Sequence, residues 1–330
     1  MGSTTRKLIG SLIFTTFFTG SGFASPLNSK LLSLVPPGAE IVAGFENHPE
    51  AHRHGQLILS THNDRLDLDD WQALAGVDSK RSFEEVIEVA ASAPGRGMLT
   101  EHMVLVAGRF DKERIYRAAQ MNGSQKADYE GQTIMLIEPF TREKGQMLST
   151  RWLVILDNRI GILGTPFLVL SALHRYQAHP DIDMALTERL SQLRSDDSSW
   201  NVLIWSPRVL TNYTVALSES PWGRLLEDTE VLMIGARFGS KVRVDFSLHA
   251  SRDRGAEFFK RKAVLFAEVF SGEPSSQTDA PQMRQLEDLS FDPDRVQGSI
   301  QLSLVQFEEW GVQSTRPHLY LVPRNTAHGE

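Results

Sequence analysis

The amino-acid sequence predicts an α+β protein of two consecutive antiparallel sheets, each covered on one face by helices. Short apolar segments follow one another across tight turns, as residues 152–156 and 160–163 do across the Asp157 turn, and such pairs are typical of antiparallel hairpins. Other segments have apolar residues at helical spacing, such as Ile115 and Ala119. Strand pairs and helices occur in both halves of the chain, which favours two sheets.

The N-terminus has the three parts of an export signal. A basic start at residues 6–7 precedes an apolar run over residues 8–18, and small residues follow at Gly22 and Ala24. Signal peptidase requires small side chains at the −3 and −1 positions, so we expect cleavage before Ser25. A membrane anchor is the alternative, but the run is far shorter than the ~20 apolar residues that cross a bilayer. The sequence therefore predicts a protein that works in a bacterial periplasm or outside the cell.

The first elements of the mature chain are predicted from turns and β-branched runs. Residues 34–38 form a Pro-Gly turn, and residues 40–45 have the composition of a strand. Pro49 is placed as a first-turn helix proline, which predicts a helix over residues 49–59. Residues 82–91 combine a capping box with a β-branched run, and we expect a helical turn that leads into a second strand.

The clearest unit in the sequence is a strand followed by a capped helix. Residues 103–110 form an apolar strand, Asp111 is a good N-cap residue, and Asn122 and Gly123 close the helix. A strand over residues 133–137 follows and leads to the hairpin described above.

The rest of the chain repeats this alternation. Helices are predicted over residues 167–176 and 182–193, and a strand over residues 200–205 stops at Pro207. The second half is predicted to contain two strands in a hairpin, a helix, a polar loop and a last strand, over residues 230–238, 241–250, 253–270, 271–288 and 296–305 in that order.

A domain boundary is expected between Pro207 and Pro221. The predicted division is a signal peptide over residues 1–24, an N-terminal domain over 25–207, a C-terminal domain over 208–312 and a tail over 313–330. Both domains have an aspartate where a strand is followed by a helix, at Asp111 and at Asp253. This similarity predicts two halves related by a diverged duplication.

Composition excludes several classes of site. The chain has no cysteine, which excludes disulfides, thiolate metal sites, a cysteine nucleophile and a lipid-modified N-terminal cysteine. The formal net charge of −7 argues against a nucleic-acid partner. The densest basic cluster, residues 260–262, is interpreted as a solvated helix face. No segment after the signal is predicted to span a membrane.

Histidines after the first strand are the candidate metal ligands. His48 and His52 are four residues apart, so a helix would place both imidazoles on one face, as a divalent metal requires. The pattern is not the metalloprotease His-Glu-x-x-His motif, because Glu50 lies two residues after His48 and Pro49 interrupts the turn. A solvated helix start is the alternative interpretation.

Two tryptophans are the candidate ligand contacts. Trp222 follows Pro221 and Trp310 follows two glutamates, so both are predicted at the edges of elements, where an indole can face a sugar or a peptide. Strand residues Trp152 and Trp200 are instead expected to pack in the core. We find no serine-nucleophile or phosphate-loop motif in a supporting context, and we predict no catalytic residues and no cofactor.

Three segments resemble exported bacterial proteins of unknown function. They are Leu34-Val-Pro-Pro-Gly-Ala-Glu-Ile-Val-Ala-Gly44, Ala107-Gly-Arg-Phe-Asp111 and Tyr129-Glu-Gly. In that group a strand with a Pro-x-x-Ala pattern opens the mature chain, and an Arg-Phe-Asp junction caps a helix. The resemblance covers residues 34–207, with a fainter similarity afterwards, and implies a two-part α+β mature chain. The group provides no catalytic residues to assign to this chain.

Two functional hypotheses follow from the sequence. The first is a non-enzymatic envelope or secreted protein that binds a protein, peptide or glycan partner or stabilises an assembly. The second is a metal-dependent hydrolase that uses His48, His52 and a distant acid. The first is favoured, because no motif identifies a catalytic centre.

Overall fold

The computed structural model of the protein describes residues 29–46, 71, 76–77, 82–92, 99–138, 140–141, 147–148, 150–193, 199–204, 221–250, 254–271 and 286–307. Within these residues the strands are β1 (Ile41–Glu46), β2 (Phe83–Ser92), β3 (Leu99–Gly108), β4 (Gln125–Tyr129), β5 (Gln132–Ile137), β6 (Phe140–Thr141), β7 (Met147–Leu148), β8 (Arg151–Leu156), β9 (Ile160–Gly164), β10 (Ser199–Ile204), β11 (Thr229–Phe238), β12 (Val242–Ala250), β13 (Leu286–Phe291) and β14 (Arg295–Leu302). The helices are α1 (Ser29–Leu32), α2 (Lys112–Met121), α3 (Pro166–Ala178), α4 (Met184–Leu190), α5 (Pro221–Leu226) and α6 (Ala256–Ser271).

Twelve of these strands form one continuous antiparallel sheet. Their order is β13-β14-β12-β11-β10-β1-β2-β3-β9-β8-β5-β4, while β6 and β7 pair with each other. The predicted fold class of two consecutive sheets is therefore wrong. The cause is β10, which pairs with β1 along one edge and with β11 along the other. Apolar patterning identifies a strand, but the choice of its neighbours depends on chain segments far away.

Two blocks of strands flank the central pair of β1 and β10. The first block runs through the hairpin β2–β3, helix α2 and the hairpin β4–β5, and the second runs through β11–β12, α6 and β13–β14. In the first block the hairpin β8–β9 lies between β3 and β5. The predicted boundary between Pro207 and Pro221 falls, except for Pro221 itself, outside the described residues. The division into two domains stays a prediction.

Both faces of the sheet are buried, because alternate residues of each strand enter different apolar clusters. In β1, Val42 packs in one cluster, whereas Ile41 and Phe45 pack on the opposite side. We call the Val42 side the front face and the other side the back face. The front is covered by α1, α3 and α4, and the back by α2, α5 and α6. Helices thus cover both faces, which corrects the predicted single covered face.

Several local predictions are confirmed. Asp111 caps α2, and its carboxylate accepts a hydrogen bond from the backbone N–H of Arg114 at 3.0 Å. The β8–β9 hairpin turns through Asp157 and Asn158, whose φ angles of 51° and 53° are those of a tight hairpin turn. The helical turn expected within residues 82–91 is wrong from Phe83 onward, because β2 pairs along its length with β1 and β3.

The first described turn of the chain is held against α3. Leu31 and its apolar neighbours in α1 are buried in the front cluster. Lys30 forms a 3.1 Å ion pair with Asp157, which also accepts a hydrogen bond from the Tyr176 hydroxyl. The Arg175 Nε donates to the carbonyl of Ser33 at 2.6 Å. These polar contacts therefore fix the position of α1 and Ser33 relative to α3 and the β8–β9 turn.

Trp200 is packed face-on against a glycine of the neighbouring strand. Gly44 lies directly opposite Trp200 in the register of β1 and β10. A Cβ placed on Gly44 would lie 2.2 Å from one indole carbon. Trp200 is 3% exposed, which confirms its expected core position and leaves the ring little room to move.

We expect Gly44→Ala to destabilise the protein by about 1–3 kcal/mol, because overpacking must displace the Trp200 ring or the central strands. Urea unfolding of the purified mature protein measures this change. Gly38→Ala is the matched control, since a Cβ there meets no atom within 4 Å. An unchanged unfolding midpoint in Gly44→Ala would contradict the prediction.

Candidate functional site

The site residues predicted from the sequence fall mainly outside the described part of the chain. His48, His52 and Trp310 all lie there. Trp222 lies in α5, and only the backbone of this residue is described. Their assignment as metal ligands and ligand contacts stays a prediction.

The described ranges contain neither a metal-binding cluster of side chains nor a membrane-spanning helix. No group of three or more histidine, aspartate or glutamate side chains there is arranged to hold a metal ion. Among the helices described, none is both long and apolar enough to cross a membrane.

The basic cluster at residues 260–262 is not one solvated face. Lys260 and Arg261 are exposed, but Lys262 is 4% exposed. The Lys262 ammonium donates to carbonyls at the end of α5, at 2.6 Å to Arg224 and 3.0 Å to Leu225. Burial lowers its pKa to about 8. The interpretation as a solvated face is therefore wrong for Lys262, whose role is to satisfy the end of a neighbouring helix.

The candidate site lies where the front face changes from apolar to polar. In β12, Val244, Phe246 and Leu248 pack in the back cluster, so the alternate residues Ser247 and His249 lie on the front. The register of β14 places Arg295 directly opposite His249. A polar row thus continues the front face beyond its apolar cluster.

Gln192, just after α4, joins this row. Its side-chain oxygen Oε1 lies 2.8 Å from His249 Nε2, 3.2 Å from Arg295 Nη1 and 3.4 Å from Ser247 Oγ. Ser247 Oγ is also 3.3 Å from His249 Nε2. We call Gln192, Ser247, His249 and Arg295 the Gln192 network.

The arginine assigns the hydrogen-bond roles in the Gln192 network. A guanidinium only donates, so Gln192 Oε1 must accept from Arg295. The same oxygen then accepts from His249 Nε2, which must carry the proton of the neutral ring. Consequently the nitrogen nearest Ser247 has no lone pair with which to take the hydroxyl proton. Ser247 is also fully buried, at 0% exposure.

Charged groups surround the Gln192 network in pairs. Arg295 binds Asp292, with its Nε 2.9 Å from the carboxylate. Further along the row, Arg243 bridges Asp245 at 3.0 Å and Asp288 at 2.6 Å. Asp288 lies at a bulge of β13, within the stretch for which a polar loop was predicted. These pairs neutralise the arginines, so the row does not resemble a site for an anion.

The surroundings of His249 favour its neutral ring. Burial, reinforced by the charge of Arg295, lowers the pKa of His249 below its ordinary value. Asp294 acts in the opposite direction without reversing the shift. A neutral His249 agrees with its role as a single donor to Gln192.

Sequence reasoning missed the Gln192 network. One signal was available, because residues 242–250 alternate between apolar and polar side chains, which marks a polar face on a predicted strand. No sequence pattern links His249 to its partners, because Gln192 is 57 residues from His249 and 103 from Arg295 along the chain. No local pattern connects residues at such separations.

These features define a class of protein, namely a single wide antiparallel sheet covered by helices on both faces, with a polar row at one end. No protein-family model matches the chain, and no curated protein matches its sequence. Among solved structures, crystal form I of TP0453 is similar at a TM-score of 0.48 and 9% sequence identity, over 86% of this chain and 96% of that one. A similarity at this level supports no conclusion about fold or function. The resemblance to exported bacterial proteins stays a prediction.

We expect Gln192→Ala to lower the free energy of unfolding by about 1–2 kcal/mol, because it removes the acceptor that His249 and Arg295 share. Chemical denaturation checks this value. Gln177→Ala provides the matched control, since Gln177 is exposed on α3. Equal stability of the two variants would show that the Gln192 network contributes nothing measurable.

Proposed function

We propose that the mature chain is a non-enzymatic protein of the bacterial envelope or the external medium, which binds a partner or stabilises an assembly. The proposed export from the cytoplasm rests on the basic, apolar and small-residue segments over residues 1–24. The absence of cysteine is consistent with a mature chain released from its signal without lipid modification. The partner class is a protein, a peptide or a glycan.

The observation that carries the non-enzymatic assignment is the contact between Arg295 and Gln192. A serine next to a histidine is the usual starting point for a nucleophile and its general base. Here Arg295 orients the Gln192 oxygen, and that oxygen requires the proton on His249 Nε2. The ring therefore presents a donor to Ser247, the opposite of what catalysis needs. This arrangement favours a structural role for the Gln192 network over a role in hydrolysis.

The charge distribution supports a partner other than nucleic acid. The chain has a formal net charge of −7, and Lys262 of the one dense basic cluster is buried. Trp222 and Trp310 stay the predicted ligand contacts. Both sheet faces are packed over wide areas, which suits a rigid scaffold that presents loops to a partner.

Export with cleavage of the signal predicts a defined mature N-terminus. Expressed with a C-terminal tag in a bacterium with two membranes, the protein should be recovered outside the cytoplasm and begin at Ser25 by N-terminal sequencing. Ala24→Leu should block cleavage, because signal peptidase does not accept a large side chain at −1, whereas the control Ala24→Ser should be processed. Full-length wild-type protein in the cytoplasm would refute the proposed export.

The non-enzymatic assignment predicts no turnover. Purified mature protein, incubated with model esters, peptides, phosphate esters and glycosides with and without zinc, should hydrolyse none of them above the buffer rate. A rate lost in Ser247→Ala would overturn our assignment of the Gln192 network. Stoichiometric zinc, with a zinc-dependent rate that is lost in His52→Ala, would establish the metal-dependent hydrolase instead. Melting temperatures of the variants separate loss of function from loss of folding.

A further inference from the structure

We propose that the outer edge of β4 pairs with the same strand of a second copy of this chain, across a two-fold axis at Ala127. Strand β4 stands last in the order of the twelve-stranded sheet, and β5 is its one neighbour among the described strands. The side chains of Gln125, Lys126 and Asp128 are exposed along this edge. The inference is independent of export and of catalysis, because the edge belongs to the fold itself.

The backbone groups of Lys126 and Asp128 point away from β5. The loop between β4 and β5 consists of residues 130–131, whose φ angles are 49° and 77°. A two-residue turn of this kind is closed by a backbone hydrogen bond, so Tyr129 and Gln132 form a hydrogen-bonded pair. Hydrogen-bonded and non-hydrogen-bonded pairs alternate along an antiparallel ladder. The N–H and C=O groups of Lys126 and Asp128 therefore face the outer edge.

A hydrogen bond on the other side of β5 supports this assignment. Thr133 lies opposite Asp128 in the register of β4 and β5. The carbonyl of Thr133 accepts from the Tyr116 hydroxyl at 2.9 Å, and that hydroxyl accepts from the backbone N–H of Ile155 in β8 at 2.9 Å. The Thr133 carbonyl thus points toward β8 and away from Asp128. Asp128 is therefore in a non-hydrogen-bonded pair, as the alternation from the turn requires.

One antiparallel register satisfies both the backbone and the charges of two such strands. Outward-facing residues must form the hydrogen-bonded pairs, so Lys126 of one copy lies opposite Asp128 of the other. The two-fold symmetry repeats this opposite-charge pair, and the Ala127 residues of the two copies face each other at the axis. An axis centred on Lys126 or on Asp128 would instead place like charges opposite each other. The charge pattern of β4 therefore selects the register centred on Ala127.

The opposite edge of the sheet is less suited to pairing. Strand β13 has a bulge between Glu287 and Ser290 in its register with β14, and Asp288 there has a φ of 51°. Bulges protect an edge strand from a further strand. Strand β4 is regular, because all five of its residues pair in order with β5. A lysine on an edge usually opposes pairing, but Asp128 of the second copy offsets the charge of Lys126.

Sedimentation of the purified mature protein over about 1–200 μM tests the proposal, since a small interface gives a weak dimer. The wild type should change from monomer to dimer as the concentration rises. Lys126→Asp and Asp128→Lys should each stay monomeric, because like charges then lie opposite each other. An equimolar mixture of the two variants should dimerise, since every pair in the mixed dimer has opposite charges. Lys241→Asp is the matched control, because Lys241 is exposed in the β11–β12 turn and its replacement changes the net charge equally.

Cross-linking tests the register. The chain has no cysteine, so Ala127→Cys introduces a single thiol in each copy. In a non-hydrogen-bonded antiparallel pair the Cα atoms are about 4.5 Å apart, which is within the range of a disulfide. Mild oxidation should therefore link two copies of Ala127→Cys. Gln125→Cys is the control, because residue 125 lies opposite Tyr129 of the second copy and its thiols should stay unlinked.

Each outcome decides the proposal. A wild type that stays monomeric over the whole range would overturn it, and so would a dimer that Lys126→Asp leaves unchanged. A mixture of the two charge variants that remains monomeric, although each variant melts at the wild-type temperature, would refute the pairing of Lys126 with Asp128. If a charge variant does not fold, the cysteine variants decide instead. Equal linking of Gln125→Cys and Ala127→Cys, or no linking of Ala127→Cys, would contradict the proposed register.

Discussion

The pairing of β10 with both β1 and β11 is the constraint on which the rest of the structure depends. Without it, the two blocks of strands would be separate sheets with exposed edges at their inner ends. With it, the central strands have neighbours on both sides and side chains on both faces to bury. The helices accordingly divide between front and back, and Trp200 fits where its partner Gly44 has no side chain. Sheet continuity, helix placement and core packing therefore follow from one set of hydrogen bonds.

The Gln192 network illustrates what a polar row does inside such a sheet. The front face of β12 and β14 carries polar residues, and the buried ones must be satisfied by partners. Gln192 supplies an oxygen to His249 and Arg295, and Lys262 supplies donors to the end of α5 on the other face. In both places a polar side chain connects elements that are distant in sequence. Each of these side chains is therefore part of the packing between those elements.

The fold was predictable in its parts. Asp111 as a helix cap and the turn at Asp157 were identified correctly, because the deciding contacts lie within three or four residues. Strand β2 was predicted only in part, since its capping-box pattern favoured a helical turn and pairing on both sides prevailed. The basic cluster was misinterpreted at Lys262, because burial there depends on α5, which begins some forty residues earlier. The candidate site was missed for the same reason of distance.

The sequence by itself determined the absence of thiol chemistry, the export-signal pattern, the acidic balance of the chain and most of its strands and turns. These properties depend on composition or on contacts between near neighbours, which a linear pattern records. Only the tertiary structure decided the neighbours of β10, the two-sided covering of the sheet and the assembly of Gln192 with His249 and Arg295. Each of these depends on segments that are brought together when the whole chain buries its apolar surface, and no local spacing encodes that encounter.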